Sequence, residues 1–300
     1  CASLTKNIEG TNMTEFGLLQ NKGIIAFTDG VKTIQNPRLM SRIMNSAKDL
    51  GCLIMQHAED YELAKNGMIN SGIIATKLGL SGIPEIAERI LIERDLSLLE
   101  KAKCRYHISQ LSSKKSLEVI KHRKEIVKFT SGVSINNLSL NENDIGDFRT
   151  FLKLSPPLRR EDDRIALVHG LKEGLIDVIV SDHKPEDEES KRLTFSQAAT
   201  GASGIETLLS LSLELYHNES LKLETIIKAL TTNPAKILKL DKGNLSVGND
   251  ADLCIVDIDK PWVVKKEKLI SKSKNTSIED KKLQGKVTNT FVKGEELFKL

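Results

Sequence analysis

Aromatic side chains make up only 4% of this 300-residue sequence, and its 44 Lys and Arg are nearly matched by 41 Asp and Glu. A nucleic-acid partner needs clustered cations to neutralise phosphates and aromatics to stack bases, so this scarcity excludes one as the main ligand. The densest basic stretch, 265–274, reads as a solvated loop. Long apolar runs are lacking as well. No stretch of about 18 residues is apolar enough to span a bilayer, and nothing resembles a signal peptide. There are four cysteines, Cys1, Cys52, Cys104 and Cys254, far apart and without a CxxC pair. That spacing excludes a disulfide framework and predicts buried thiols in a reducing, cytoplasmic setting.

What the sequence does have is rhythm. From Gly23 onward a short β-branched run, a polar tip and an amphipathic helical stretch recur, the pattern of βα units and a parallel sheet. Strand runs fall at 23–27, 52–56, 104–108, 127–133 and 175–180, with helices expected over 37–50, 84–101, 114–124, 203–217 and 223–230. The last of these is expected to stop before Asn233-Pro234. After Leu240, glycines and aspartates punctuate short alternating strands with no helical spacing between them. The organisation read from this is an incomplete α/β barrel over 1–240 and a β-rich module over 241–300. The length is ample for a large core.

In a barrel of parallel strands the C-terminal strand ends converge on one rim, so polar residues at those ends carry the functional signal. Asp29, His57, His107 or Gln110, and Asp182 each sit at or beside such an end. His and Asp from successive strands are the donor types that hold zinc with a position left open for water. Each also has a plainer reading. A single His after a strand is often structural, and Asp29 before Gly30 is a common turn dipeptide. Asp182, just past a fully apolar run, is harder to explain structurally. His122, His169 and His217 fall on helix surfaces by pattern and are given no role.

Eight short stretches then occur in a recognisable order. They are Ala26-Phe27-Thr28-Asp29-Gly30, Gln56-His57-Ala58-Glu59-Asp60, Tyr106-His107-Ile108-Ser109-Gln110-Leu111-Ser112-Ser113, Lys153-Leu154-Ser155-Pro156-Pro157-Leu158-Arg159, Ser181-Asp182-His183-Lys184-Pro185, Gly204-Ile205-Glu206-Thr207, Thr232-Asn233-Pro234-Ala235 and Gly248-Asn249-Asp250-Ala251-Asp252-Leu253. Together they resemble the bacterial class I dihydroorotases of the amidohydrolase superfamily, over nearly the whole chain. The resemblance implies a (β/α)8 TIM-type barrel with a small β-sandwich built from both chain ends. It also implies one or two zinc ions and reversible closure of N-carbamoyl-L-aspartate to dihydroorotate in de novo pyrimidine synthesis. The family's opening His-x-His motif and following Arg do not occur here, and the strands number fewer than eight. The first strands of the barrel are therefore expected upstream of Cys1.

Carried over residue by residue, the resemblance makes His57 a metal ligand and Asp182 both a metal contact and the proton shuttle. Asp29, His107 and Gln110 fall at the remaining metal positions, and Ser155, His183, Glu186 and Gly201 where substrate is read. Three departures stand out. One acid, Asp29, replaces the usual consecutive pair. Gln110 occupies the place of a ligating His, with His107 matching the first His of the family's pair. Ser155 and Glu186 replace an Asn and a His, and an acid at 186 is expected to repel the substrate's carboxylates. These departures set out the alternatives. The first is an active cyclic-amide hydrolase. The second is a catalytically impaired homologue serving as structural partner of aspartate transcarbamoylase. The third is a hydrolase for another cyclic amide such as a hydantoin. Partners expected are a small-molecule substrate and a complex with aspartate transcarbamoylase or a homo-oligomer, with no membrane.

Overall fold

Short β-branched runs alternating with amphipathic helices build the first of two units, Cys1–Asp144 with Ser155–Asp177, in a computed structural model that describes every residue, Cys1–Leu300. Besides a short two-stranded parallel sheet of Ile69–Asn70 and Gly82–Ile83, its strands are β1 (Ala26–Phe27), β2 (Leu53–Gln56), β3 (Arg105–Leu111) and β4 (Thr130–Ser134). All pair in parallel, with Ala26 opposite Leu53, Met55 opposite His107, and His107 opposite Thr130. The β3–β4 register shifts between Ile108 and Leu111, the stretch that carries Gln110.

The expected strand at 23–27 shortens to two residues because its first half belongs to a turn. Gly23, at φ 85°, donates its N–H to the Gln20 carbonyl, and Ile24 donates to that of Leu19. The long helices are α1 (Pro37–Leu50), α2 (Ile86–Ala102), α3 (Lys114–Arg123) and α4 (Glu161–Lys172). Helix α1 shows how local sequence sets its ends. The Asn36 side chain accepts from the N–H groups of Arg38 and Leu39, Pro37 fits the first turn, and Gly51 stops the helix at φ 67°. Leu39, Met40, Ile43, Met44 and Ala47 form one buried stripe of α1, and burying each large apolar side chain contributes about 1.5–3 kcal/mol.

The second unit comprises Ile145–Leu154 and Val178–Leu300. It begins its main stretch with β5 (Val178–Val180) and continues through α5 (Leu208–His217) and α6 (Leu223–Ile227). Helix α5 starts later than the expected 203, because the N–H groups of Gly204 and Ile205 are donated to the His183 ring instead of to a helical turn. The expected stop before Asn233-Pro234 is also revised. A π turn over Lys228–Thr232 leads directly into α7 (Asn233–Leu238). Pro234 sits in that first turn, where a missing N–H costs nothing.

Beyond Leu240, β6 (Leu253–Val263), β7 (Lys282–Val292) and β8 (Glu295–Lys299) form one antiparallel sheet in the order β8-β7-β6. The thiols divide. Cys52 and Cys104 are buried as expected, whereas Cys1 and Cys254 are exposed, Cys254 because it lies on a solvent-facing position of β6. No helix is long and apolar enough to cross a membrane.

Candidate active site

In the first unit, β2 delivers His57 one residue past its C-terminal end, where the imidazole is only 3% exposed. Burial pushes its pKa down to about 4, so the ring is neutral at physiological pH. Nε2 lies 3.5 Å from the Ser155 hydroxyl, at the edge of hydrogen bonding, and Nδ1 has no partner at all. An uncharged, buried imidazole with a bare nitrogen is a donor awaiting a cation or a proton.

The other residues expected here are engaged differently. The Asp29 carboxylate is buried and accepts from the N–H groups of Leu4, at 2.7 Å, and Thr5, at 3.0 Å, and from the Thr5 hydroxyl. His107 is buried within β3 with Nδ1 2.8 Å from Thr130 Oγ1, and a Cβ at Gly132 would come within 3.3 Å of its Nε2. Its pKa is also pushed down to about 4, first by burial and then by the positive charge of Lys124. Gln110 is half-buried at the register shift. No group of three or more His, Cys, Asp or Glu side chains comes together to hold a metal ion. A zinc site needs at least three protein donors. The residues present therefore offer one donor in the right state, His57, and do not make a complete centre for the zinc that the resemblance implies.

In the second unit, Asp182 follows β5 with a left-handed backbone, φ 48°, and its side chain is half-exposed. Such a conformation is uncommon outside glycine, and Asp and Asn are among the few residues that adopt it readily. His183 pairs its backbone with Ala202, and its Nδ1 accepts from the N–H groups of Gly204 at 3.2 Å and Ile205 at 3.4 Å. Two N–H donors aimed at Nδ1 leave Nε2 as the protonated nitrogen.

The expected repulsion at Glu186 is offset by Lys184, whose ammonium lies 3.6 Å from the Glu186 carboxylate. Gly201 has φ 140°, and a Cβ there would meet the Lys184 carbonyl at 2.7 Å, so only glycine fits. Its carbonyl accepts from Lys191 Nζ and from Asn275 Nδ2, each at 3.0 Å. Lys191 is almost fully buried, and burial pushes its pKa down to about 8. Sequence reasoning missed Lys191 and Asn275, because a lysine within a charged helix and an asparagine within a basic loop carry no sign of the interior carbonyl they bind.

The two buried histidines make a pH prediction. An unfolded histidine titrates near 6.5, whereas His57 and His107 do so near 4 in the native state. As pH falls through that window the unfolded chain takes up protons that the native chain refuses, so stability is lost. Each histidine then costs at most about 3 kcal/mol, reached below the folded pKa. Urea midpoints measured from pH 7 to pH 4 should fall steadily, and a double His57→Asn/His107→Asn variant should show a shallower decline.

Parallel strands with helical crossovers, together with the family match and the solved structure that follow, place the chain in the class of TIM-barrel-type folds. Residues 11–297 match the amidohydrolase family. A dihydroorotase of Ehrlichia chaffeensis is 41% identical over 300 residues, covering 99% of this chain and 67% of its own length. One from Desulforapulum autotrophicum is 37% identical over 297 residues, covering 99% and 70%. Among solved structures, the L-hydantoinase (dihydropyrimidinase) from Arthrobacter aurescens superposes with a TM-score of 0.86 at 24% identity, covering 99% of this chain and 69% of that one. The chain spans about two thirds of the length of these curated relatives. It belongs to the amidohydrolase family, and within it to the dihydroorotases.

Proposed function

We propose that this protein interconverts N-carbamoyl-L-aspartate and dihydroorotate, with His57 and Asp182 as the residues that carry the chemistry. In the hydrolytic direction water adds to the ring carbonyl carbon and the ring C–N bond breaks. Asp182 takes the proton from the attacking water and returns it to the leaving nitrogen, so the carboxylate ends the cycle as it began. Ser155, His183, Glu186 and Gly201 are proposed as substrate-binding residues. Lys184, paired to Glu186, offsets a negative charge that otherwise opposes a dicarboxylate. The donor set is incomplete, and no step is assigned to a metal ion. The sheet of β6, β7 and β8 is proposed as one half of a β-sandwich.

The observation that carries this reading is the near-complete match to dihydroorotases at 37–41% identity, against 24% for the L-hydantoinase. It favours dihydroorotate over a hydantoin, and an enzyme over an inactive partner of aspartate transcarbamoylase. The test is a substrate comparison on the purified protein. Ring opening of dihydroorotate should exceed that of unsubstituted hydantoin at least tenfold in kcat/KM, a margin of about 1.4 kcal/mol. The opposite order would reassign the substrate.

A further inference from the structure

Strand β2 ends at Gln56, yet the main chain of the next five residues is held as though a neighbouring strand continued beside it. The Thr33 hydroxyl donates to the His57 carbonyl at 2.6 Å and accepts from the Glu59 N–H at 3.1 Å. Two residues on, the Gln35 amide repeats the pattern. Its Nε2 donates to the Glu59 carbonyl at 2.9 Å, and its Oε1 accepts from the Tyr61 N–H at 3.3 Å. In a parallel ladder one residue binds the carbonyl before and the N–H after the residue it faces. Thr33 does this around Ala58 and Gln35 around Asp60, with side chains in place of backbone.

The 33–35 segment is itself fixed from behind. The Ile34 N–H donates to Gln56 Oε1 at 3.1 Å, while the Arg94 guanidinium donates to the Ile34 carbonyl at 2.7 Å and the Gln35 carbonyl at 2.8 Å. Arg94 Nε donates at 2.9 Å to Asp95, a fully buried carboxylate that also accepts from Tyr106 Oη at 2.7 Å and from the Gln56 amide. The network closes on itself: Gln56 touches both the segment and the carboxylate that anchors it.

We propose that Thr33 and Gln35 are positioning residues for His57, setting the backbone from which an imidazole with an unpartnered Nδ1 projects. This rests on the dihydroorotase reading only for the kinetic part of its test. The experiment compares wild-type protein with Thr33→Val, which keeps shape and removes both hydrogen bonds, and Thr33→Ser, which restores the hydroxyl. Amide exchange at Glu59 should rise about tenfold in Thr33→Val, the effect of one lost hydrogen bond of ordinary strength, while Ile54 in the core is unaffected. The His57 ring signals in a nitrogen–proton NMR spectrum should shift, and kcat for dihydroorotate should fall about tenfold with KM within twofold, as expected when a reacting group is displaced. Thr33→Ser should recover all three.

Unchanged Glu59 exchange and His57 signals in Thr33→Val would overturn the proposal whatever the activity. A protein that shows the exchange and NMR changes but no wild-type turnover would support the positioning role and count against the reaction alone. Should Thr33→Val fail to fold, Gln35→Ala at an exposed position makes the same test at the Tyr61 amide, where unchanged exchange is the overturning result.

Discussion

Replacing Asp182 by Asn should lower kcat for dihydroorotate about a thousandfold, the middle of the range for a lost general acid–base. The substitution suits the test because of the backbone it leaves undisturbed. Asp182 sits at φ 48°, and Asn is one of the few side chains that accept the left-handed region at little cost. Shape is kept, and only the ability to take and return a proton is removed. Circular dichroism and the melting temperature should match the wild type while kcat collapses and KM moves little, the signature of an interaction made in the transition state. A parallel rise in KM with kcat preserved would make Asp182 a binding residue instead.

The second large effect expected is on stability. Arg159 is 3% exposed and its guanidinium makes three hydrogen bonds in the interior. Nε donates to Ser112 Oγ at 3.1 Å, and Nη1 to Asn70 Oδ1 at 2.9 Å and the Ile83 carbonyl at 2.6 Å. The countercharge is Glu88, also buried, whose carboxylate accepts from the N–H groups of Ser112 at 3.0 Å and Ser113 at 3.3 Å. Arg159→Met fills much of the volume but removes the cation that the buried Glu88 charge feels and leaves the buried Asn70 amide oxygen without its donor, a change that costs about 3 kcal/mol. The urea midpoint should drop with an unchanged m-value. Adding Glu88→Gln should recover part of the loss, because the pair is coupled. A loss of less than about 1 kcal/mol in the single variant would mean water reaches the site and screens it, as at exposed pairs.

Periodicity carried most of the architecture. The α1 stripe, the β2 and β3 runs and the antiparallel strands after Leu240 all follow from apolar spacing, because spacing reports which face of an element is buried. The place of His57 is legible the same way, as a polar residue where an apolar run ends. Other features were out of reach for a definite reason: they depend on which polar groups meet in the interior. Nothing in Thr33-Ile34-Gln35 announces that two side chains stand in for a strand, and Asp95 reads as one more acid in a charged helix. Asp29 looked like a rim ligand, yet its carboxylate is bound by Leu4 and Thr5 from a segment with no strand pattern of its own. The helix running past Pro234 depends on a π turn that local propensity does not anticipate.

Carbamoyl-aspartate release, followed with dihydroorotate as substrate for the purified wild-type protein beside Asp182→Asn and His57→Asn, tests the proposed reaction most directly. That reaction requires turnover in the wild type that both variants reduce at least a hundredfold while remaining folded. Wild-type turnover no greater than that of either variant would contradict it.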